Sequence, residues 1–192
     1  MAKHDAYPEL QFAAPAKFDA WLKKNHNGAD GVWLRFAKKG APETTLTYVE
    51  AVEVALCWGW IDGQAKSIDE HFHGQKYTPR GPRSRWSKIN VGRAERLIAD
   101  GRMKAPGLAE VERAKADGRW AAAYDSPSNA TVPDDLATAL KKNKKAAAFF
   151  ATLSSANRYA ILYRVQDAKK PETRASRIEK FVGMLERGET LH

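Results

Sequence analysis

Thr47-Tyr48-Val49-Glu50 has the pattern of a capping box, a helix start that carries both of its own caps. The threonine hydroxyl accepts from the backbone N–H three residues on, and the glutamate reaches back to the threonine N–H. Two amides that a helix start leaves unbonded are thereby satisfied reciprocally. Behind the box, Val49, Val52, Leu56 and Gly59 recur on one side at helical spacing. The helix stops at Gly59, because glycine enters the left-handed stop conformation without steric cost. An apolar helix that runs at once into Trp60-Ile61 needs a sheet to lie on. Val32-Trp33-Leu34-Arg35-Phe36 reads as one strand, with Val32, Leu34 and Phe36 on one face. Two further strand-like runs, near Ile61–Asp69 and Phe72–Thr78, flank a turn, and Pro79, Gly81 and Pro82 end the second.

The rest of the chain is helical in pattern. Pro15, Phe18, Trp21 and Leu22 mark a short amphipathic helix ending near Asn25 to Gly28. From Asn90 onwards, Ala94, Leu97 and Ile98 face a core before Gly101, and Leu108, Val111 and Ala114 do so before Gly118. Tyr124 to Pro133 is rich in Ser, Pro, Asn and Asp and reads as a boundary loop. Helices follow at about 134–151, 155–168 and 173–187, the last marked by Ile178, Phe181, Val182 and Leu185 with Gly188 as its stop. The expected fold class is α+β. A small, mainly antiparallel sheet backed by a helix fills the N-terminal half, and the C-terminal half is helical. The expected domains are residues 1–125, an α+β domain, and 131–192, a helical module.

With 192 residues, 43% of them hydrophobic, the chain can build a core without covalent staples. Cys57 is the single cysteine, lies in an apolar run and has no partner for an internal disulfide. Met1–Phe12 holds Lys3, His4, Asp5, Pro8 and Glu9 but no apolar run, which argues against a secretory signal peptide. No stretch approaches a membrane span, so no membrane insertion is expected. These features together lead us to expect a reducing cytoplasm.

The formal net charge of +9 is unevenly spread. Residues 1–60 are balanced. Residues 76–96 hold Lys76, Arg80, Arg83, Arg85, Lys88, Arg93 and Arg96 against Glu95 alone. Residues 141–192 hold twelve bases and five acids. Such zones attract phosphates, nucleic acid or an acidic protein, or simply form solvated helix faces.

Chemistry concentrates in Cys57-Trp58-Gly59-Trp60-Ile61-Asp62-Gly63-Gln64 and in the run from Tyr77 to Asn90. Trp58, Trp60 and Trp86 are costly to expose, and the planar forks of Arg80, Arg83 and Arg85 suit carboxylate or phosphate. Trp58, Trp60, Asp62, Gln64, Arg80, Arg83, Ser84, Trp86 and Ser87 are the expected ligand-binding set, with stacking walls and an anion-binding floor. The competing reading packs the tryptophans between sheet and helix and leaves Asp62 to cap a turn or pair with an arginine. His71-x-His73 with Cys57 or Asp69 lacks further ligands at supporting spacing, so no metal is expected. No nucleotide fingerprint or nucleophile elbow is present, and no cofactor is called for.

Several runs resemble the YdeI/OmpD-associated (bacteriocin-protection) family. They include Phe18-x-x-Trp21-Leu22, Gly31-Val32-Trp33-Leu34, Ala55-Leu56-Cys57-Trp58-Gly59-Trp60-Ile61-Asp62-Gly63, Thr78-Pro79-Arg80 and Ser84-x-Trp86-Ser87. Val132-Pro133-x-Asp135-Leu136 and Arg174-x-x-Arg177-Ile178 extend the resemblance over nearly the whole chain. What the resemblance implies is physiological, protection from bacteriocins or antimicrobial peptides and a link to a porin, with no catalytic residue to carry over. Antimicrobial peptides are typically cationic and a +9 chain repels them, so an indirect route is expected, through an acidic partner, an anionic metabolite or RNA.

The leading expectation is a non-enzymatic protection protein that binds an anionic or aromatic ligand, or an acidic partner, near Trp58–Trp86. The alternatives are a weak, non-specific nucleic-acid binder using the basic zones, and an enzyme on a small anionic substrate. In the last, Asp62 is acid/base and Arg80 and Arg83 are clamps. Oligomeric state is not legible.

Overall fold

A computed structural model of the protein describes residues 7–127 and 129–191. The reading of Met1–Phe12 as no leader rests in part on residues outside this set, as does Ser128 of the 124–133 loop. The described residues up to Ala123 form one compact unit and those from Tyr124 a second.

The first unit is built on a four-stranded mixed sheet. Its strands are β1 (Glu9–Leu10), β2 (Val32–Ala37), β3 (Trp60–Ser67) and β4 (Phe72–Pro79), in the order β1-β2-β4-β3. β2, β4 and β3 pair antiparallel, while β1 joins β2 in parallel. β1 has no sequence signature because it is two residues long, and the contact that extends it is Trp33 N–H donating to Pro8 O at 2.9 Å. A bulge between Asp62 and Ala65 is filled by Gln75, whose amide donates to Gly63 O at 2.6 Å.

Val32, Leu34 and Phe36 share the inner face, as their alternation predicts, with Tyr77 opposite Val32. On the outer face Trp33 and Phe72 are also buried. Lys66 Nζ lies 4.4 Å over the Trp33 ring and the Arg35 guanidinium 4.4 Å over Phe72. Long cationic side chains thus cover aromatics that strict alternation would leave in water.

Helix α1 (Pro15–Asn25) and helix α2 (Tyr48–Cys57) pack on one another through the core they share with the sheet. The capping box of α2 is formed in both directions between Thr47 and Glu50. Its hydrogen bonds hold the Glu50 carboxyl below its ordinary pKa. Gly59 stops the helix at φ +74.

Helices α3 (Lys88–Ala99) and α4 (Ala105–Ala116) complete this unit. α3 starts at Lys88, two residues before its expected start, on a Ser87 hydroxyl that accepts from Asn90 N. Three residues expected in the core are exposed: Val49 at 49%, Ile98 at 37% and Leu108 at 39%. Val49 sits in the first turn of α2, short of the stretch where Ala51, Val52 and Val54–Cys57 are buried. In α3 and α4 the buried stripes are narrow, Ala94 and Leu97 in one and Gly107, Val111 and Ala114 in the other. Ile98 lies about 40° round the helix from Ala94 and Leu108 about 60° from Val111, each at the outer edge of its stripe.

The second unit contains α5 (Asp134–Lys142), α6 (Lys144–Thr152), α7 (Ser155–Asp167) and α8 (Pro171–Glu186). One helix was expected over 134–151, and there are two. Asn143 ends α5 and caps α6 at φ -124, ψ 92, its side chain accepting from Ala146 N. Asparagine competes with helical backbone bonds and suits an N-cap, and that preference outweighs the continuous apolar pattern here. Proline opens α8 and Gly188 closes it at φ +72. Arg174 clasps Asp135 through two nitrogens and donates to Val165 O at 2.9 Å. No helix among the described residues is long and apolar enough to cross a membrane.

Thr47→Ala removes a cap whose typical contribution is about 1 kcal/mol. The urea midpoint should fall accordingly at unchanged slope, and an unmoved midpoint refutes the role assigned to the cap. The Arg174 guanidinium holds the Asp135 carboxyl below the usual aspartate range. A depressed folded pKa contributes stability above the ordinary aspartate value of about 4, and that stability fades as pH falls through the lower folded value. Asp135→Asn should therefore lose stability at neutral pH and show a flatter acid-unfolding curve.

Candidate functional site

The acid-free loop from Arg80 to Ser87 is assembled by its own side chains and by α2. Arg80 N–H donates to Gly59 O at 2.9 Å, fixing the loop's start to the helix end. Ser84 N–H donates to Gly81 O at 2.9 Å and Gly81 N–H to Ser84 Oγ at 3.0 Å, closing a turn that carries Arg83 outward. Arg83 is exposed, and among the described residues its side chain makes no hydrogen bond or ion pair. The Arg80 side chain does the opposite. It is 5% exposed, its guanidinium lies 3.7 Å over the Trp86 ring, and it donates to Arg85 O at 3.2 Å. Trp86 is itself buried and lies 4.8 Å from Trp120.

Two more arginines reach the same loop from further along the chain. Arg119 donates to Ser84 O at 2.7 Å and Arg113 to Arg80 O at 3.4 Å. Each is also paired to an acid, Arg119 with Asp117 and Arg113 with Glu110. Sequence reasoning missed Arg113, Arg119 and Trp120. The available signal was Arg119-Trp120, which repeats the Arg85-Trp86 pairing.

The remaining expected residues fall into other groups. Trp58 Nε1 donates to Asp19 Oδ1 at 2.8 Å, and Trp60 Nε1 donates to His26 O at 3.4 Å. Both rings are buried and fasten α1 to the joint between α2 and β3. Asp62 Oδ2 accepts the Tyr48 hydroxyl at 2.7 Å, and in register it faces Tyr77 across the β3–β4 pair. Burial, with Asp62 adding to it, pushes the Tyr77 hydroxyl far above its usual pKa, so it stays a neutral phenol. Gln64 accepts from Lys76 Nζ at 2.9 Å, away from the arginines.

Burial also pushes the Cys57 thiol up, which works against nucleophilic use. Asp69, next to the His71–His73 pair, is occupied in capping the β3–β4 turn through His71 N and Phe72 N. Among the described residues no group of three or more His, Cys, Asp or Glu side chains is placed to hold a metal ion.

Residues 10–110, just over half of the 192, match the family model described as a domain of unknown function, DUF8412. The chain belongs to that family. All nine expected ligand-binding residues lie inside the DUF8412 match, while Arg113 and Arg119 lie just past it. Residues 129–188 match a second model, described as "Bacteriocin-protection, YdeI or OmpD-Associated". The resemblance seen along the chain is thus carried by a family model over its C-terminal part, beyond the DUF8412 segment. Neither the curated proteins nor the solved structures contain a match.

Arg80→Leu removes the donor to the Arg85 carbonyl and the cation over Trp86. A hydrogen bond to a charged group typically contributes about 2 kcal/mol, so the urea midpoint should fall by that order. Arg80→Lys should recover little, since a point charge does not reproduce a planar fork on a ring. Full recovery by lysine excludes the stacked geometry as the source of the stability.

Proposed function

We propose that this bacteriocin-protection-type protein acts in the cytoplasm by binding, and that a small polyvalent anion is its ligand at the Arg80–Ser87 loop. The observation that carries the reading is the loop's construction. It contains three arginines and no acid, its carbonyls are clasped by Arg113 and Arg119, and Arg83 projects outward from a closed turn. A loop already rigid when the ligand arrives has little ordering entropy left to lose. Ser84 follows Arg83 directly, and its hydroxyl, which accepts from Gly81 N, keeps its own proton to donate, while the buried Trp86 forms the support beneath rather than a stacking wall.

A binding role also agrees with how the segment's acid is used. Asp62, the group an acid/base mechanism would need, is engaged by Tyr48. A lone buried thiol at Cys57 suits a reducing compartment. Protection through an anion or an acidic partner avoids the long-range repulsion between a +9 chain and a cationic peptide. Nucleic acid is the competing polyanion. The second basic zone offers it less than its composition suggests, because Arg158, Arg164, Arg174, Arg177 and Arg187 all donate to carbonyls or carboxylates of their own unit.

The test is titration of the full chain with tripolyphosphate and with citrate, read by tryptophan fluorescence and thermal shift. Saturable binding is expected, with Arg83→Glu weakening it about tenfold or more through loss of a charge-assisted contact. Unchanged affinity in that variant sinks the loop as the site. If a single-stranded RNA binds instead, with a log–log salt slope of several units, the nucleic-acid reading replaces this one.

A further inference from the structure

A groove of about 430 Å³ lies at the other end of the sheet from the arginine loop's joint, between the end of β2, the residues leading into α2 and the start of β4. That volume is within the range of small-molecule sites, about 300–1,000 Å³. Its chemistry differs from that of the loop. The apolar part is Phe36 and Leu46, each 2% exposed. His73 stacks on Phe36 with ring centroids 5.4 Å apart, and among the described residues its ring nitrogens make no hydrogen bond.

Tyr48 forms the exposed wall. It is 41% exposed, an unusual position for an aromatic ring, yet it is held at both ends. Its backbone is the first residue of a capped helix and its hydroxyl is bound to Asp62 at 2.7 Å, while its ring meets Phe36 edge-on at 6.5 Å. An exposed ring fixed in this way has already lost the rotamer freedom that a ligand would otherwise have to freeze.

The polar lining is neutral as a whole. Thr45 Oγ1 accepts from Ala37 N at 3.0 Å, which leaves its own proton to donate, and Thr44 is exposed beside it. One base and one acid stand at the rim, and both are partly used. Lys38 Nζ donates to Asp69 O at 2.6 Å and Glu43 holds the Gln11 amide. An anion here would face Glu43, and a wholly apolar ligand would strip water from the threonines and His73 without replacing its hydrogen bonds. A neutral molecule rich in hydroxyls, with a C–H face to lay on an aromatic ring, satisfies each part of the lining.

We propose that this groove is a binding site for a neutral saccharide or similar cyclic polyol. Tyr48 is its platform, His73 and Thr45 exchange hydrogen bonds with the ligand hydroxyls, and Asp62 is a positioning residue that acts through Tyr48. The site is separate from the arginine loop and stands whether or not that loop binds an anion.

The experiment uses the full chain, labelled with nitrogen-15 and titrated with glucose, N-acetylglucosamine, maltose and chitobiose, with glucuronate as a charged control. At least one neutral sugar should shift the amides of Thr44–Tyr48 and His73 saturably, with an affinity unmoved by added salt. Tyr48→Ala should weaken it at least tenfold. Asp62→Ala should weaken it less, and Asp62→Asn, which still accepts from the Tyr48 hydroxyl, should restore it. Arg83→Glu should leave it unchanged. The amide spectrum of each variant verifies its fold, so a loss of binding in a folded Tyr48→Ala chain is interpretable. The proposal is overturned if none of the four sugars moves these amides, if Tyr48→Ala binds as well as the parent, or if glucuronate binds as tightly in a salt-dependent way.

Discussion

The C-terminal end of α2 holds the N-terminal unit together. Two backbone carbonyls there accept from the rest of the unit, Cys57 O from Lys104 N–H at 3.1 Å and Gly59 O from Arg80 N–H at 2.9 Å, and Gly59 turns the chain between them at positive φ. Gly107 of α4 lies so close that a Cβ on it would stand 2.4 Å from Cys57 O. Helix ends leave carbonyls unbonded, and here that need is met by tertiary partners instead of water. Once this end is fixed, β3 must start at Trp60, the arginine loop must leave from Pro79, and α4 must cross where it does.

Buried arginine is the second feature that shapes this unit. A guanidinium taken out of water is costly unless its charge and its protons are answered. Arg80 is answered in part by the π face of Trp86 and by the Arg85 carbonyl, which order the loop from beneath. Glu110 and Asp117 are bound to the two arginines that clasp the loop from outside. Arg83 stays exposed on the loop, and the neutral groove around Tyr48 is chemically distinct from it.

The two family matches fall on different units, 10–110 on the first and 129–188 on the second. The second is the one whose description names a physiological role, and it is a helical unit in which five arginines donate to its own carbonyls and carboxylates while its lysines stay exposed. The residues with ligand-binding chemistry are concentrated in the DUF8412 part.

Much of this protein is written locally. The capping box at Thr47–Glu50, the glycine stops at 59, 101, 118 and 188, the alternation of Val32, Leu34 and Phe36 and the two strands flanking the turn before Phe72 are all readable from neighbours in the chain, because caps, stops and pleats involve residues a few positions apart. The grouping of the site residues was not readable. Trp58 and Trp60 answer to Asp19 and His26, Asp62 to Tyr48, and Arg80 to Trp86, Arg113 and the end of α2. Those partners are set by which faces of α1, α2 and α4 the sheet can bury at once. Periodicity gives each face separately but carries no record of which other face it meets, so only the packed structure divides one Trp- and Arg-rich stretch into core, clasp and exposed loop.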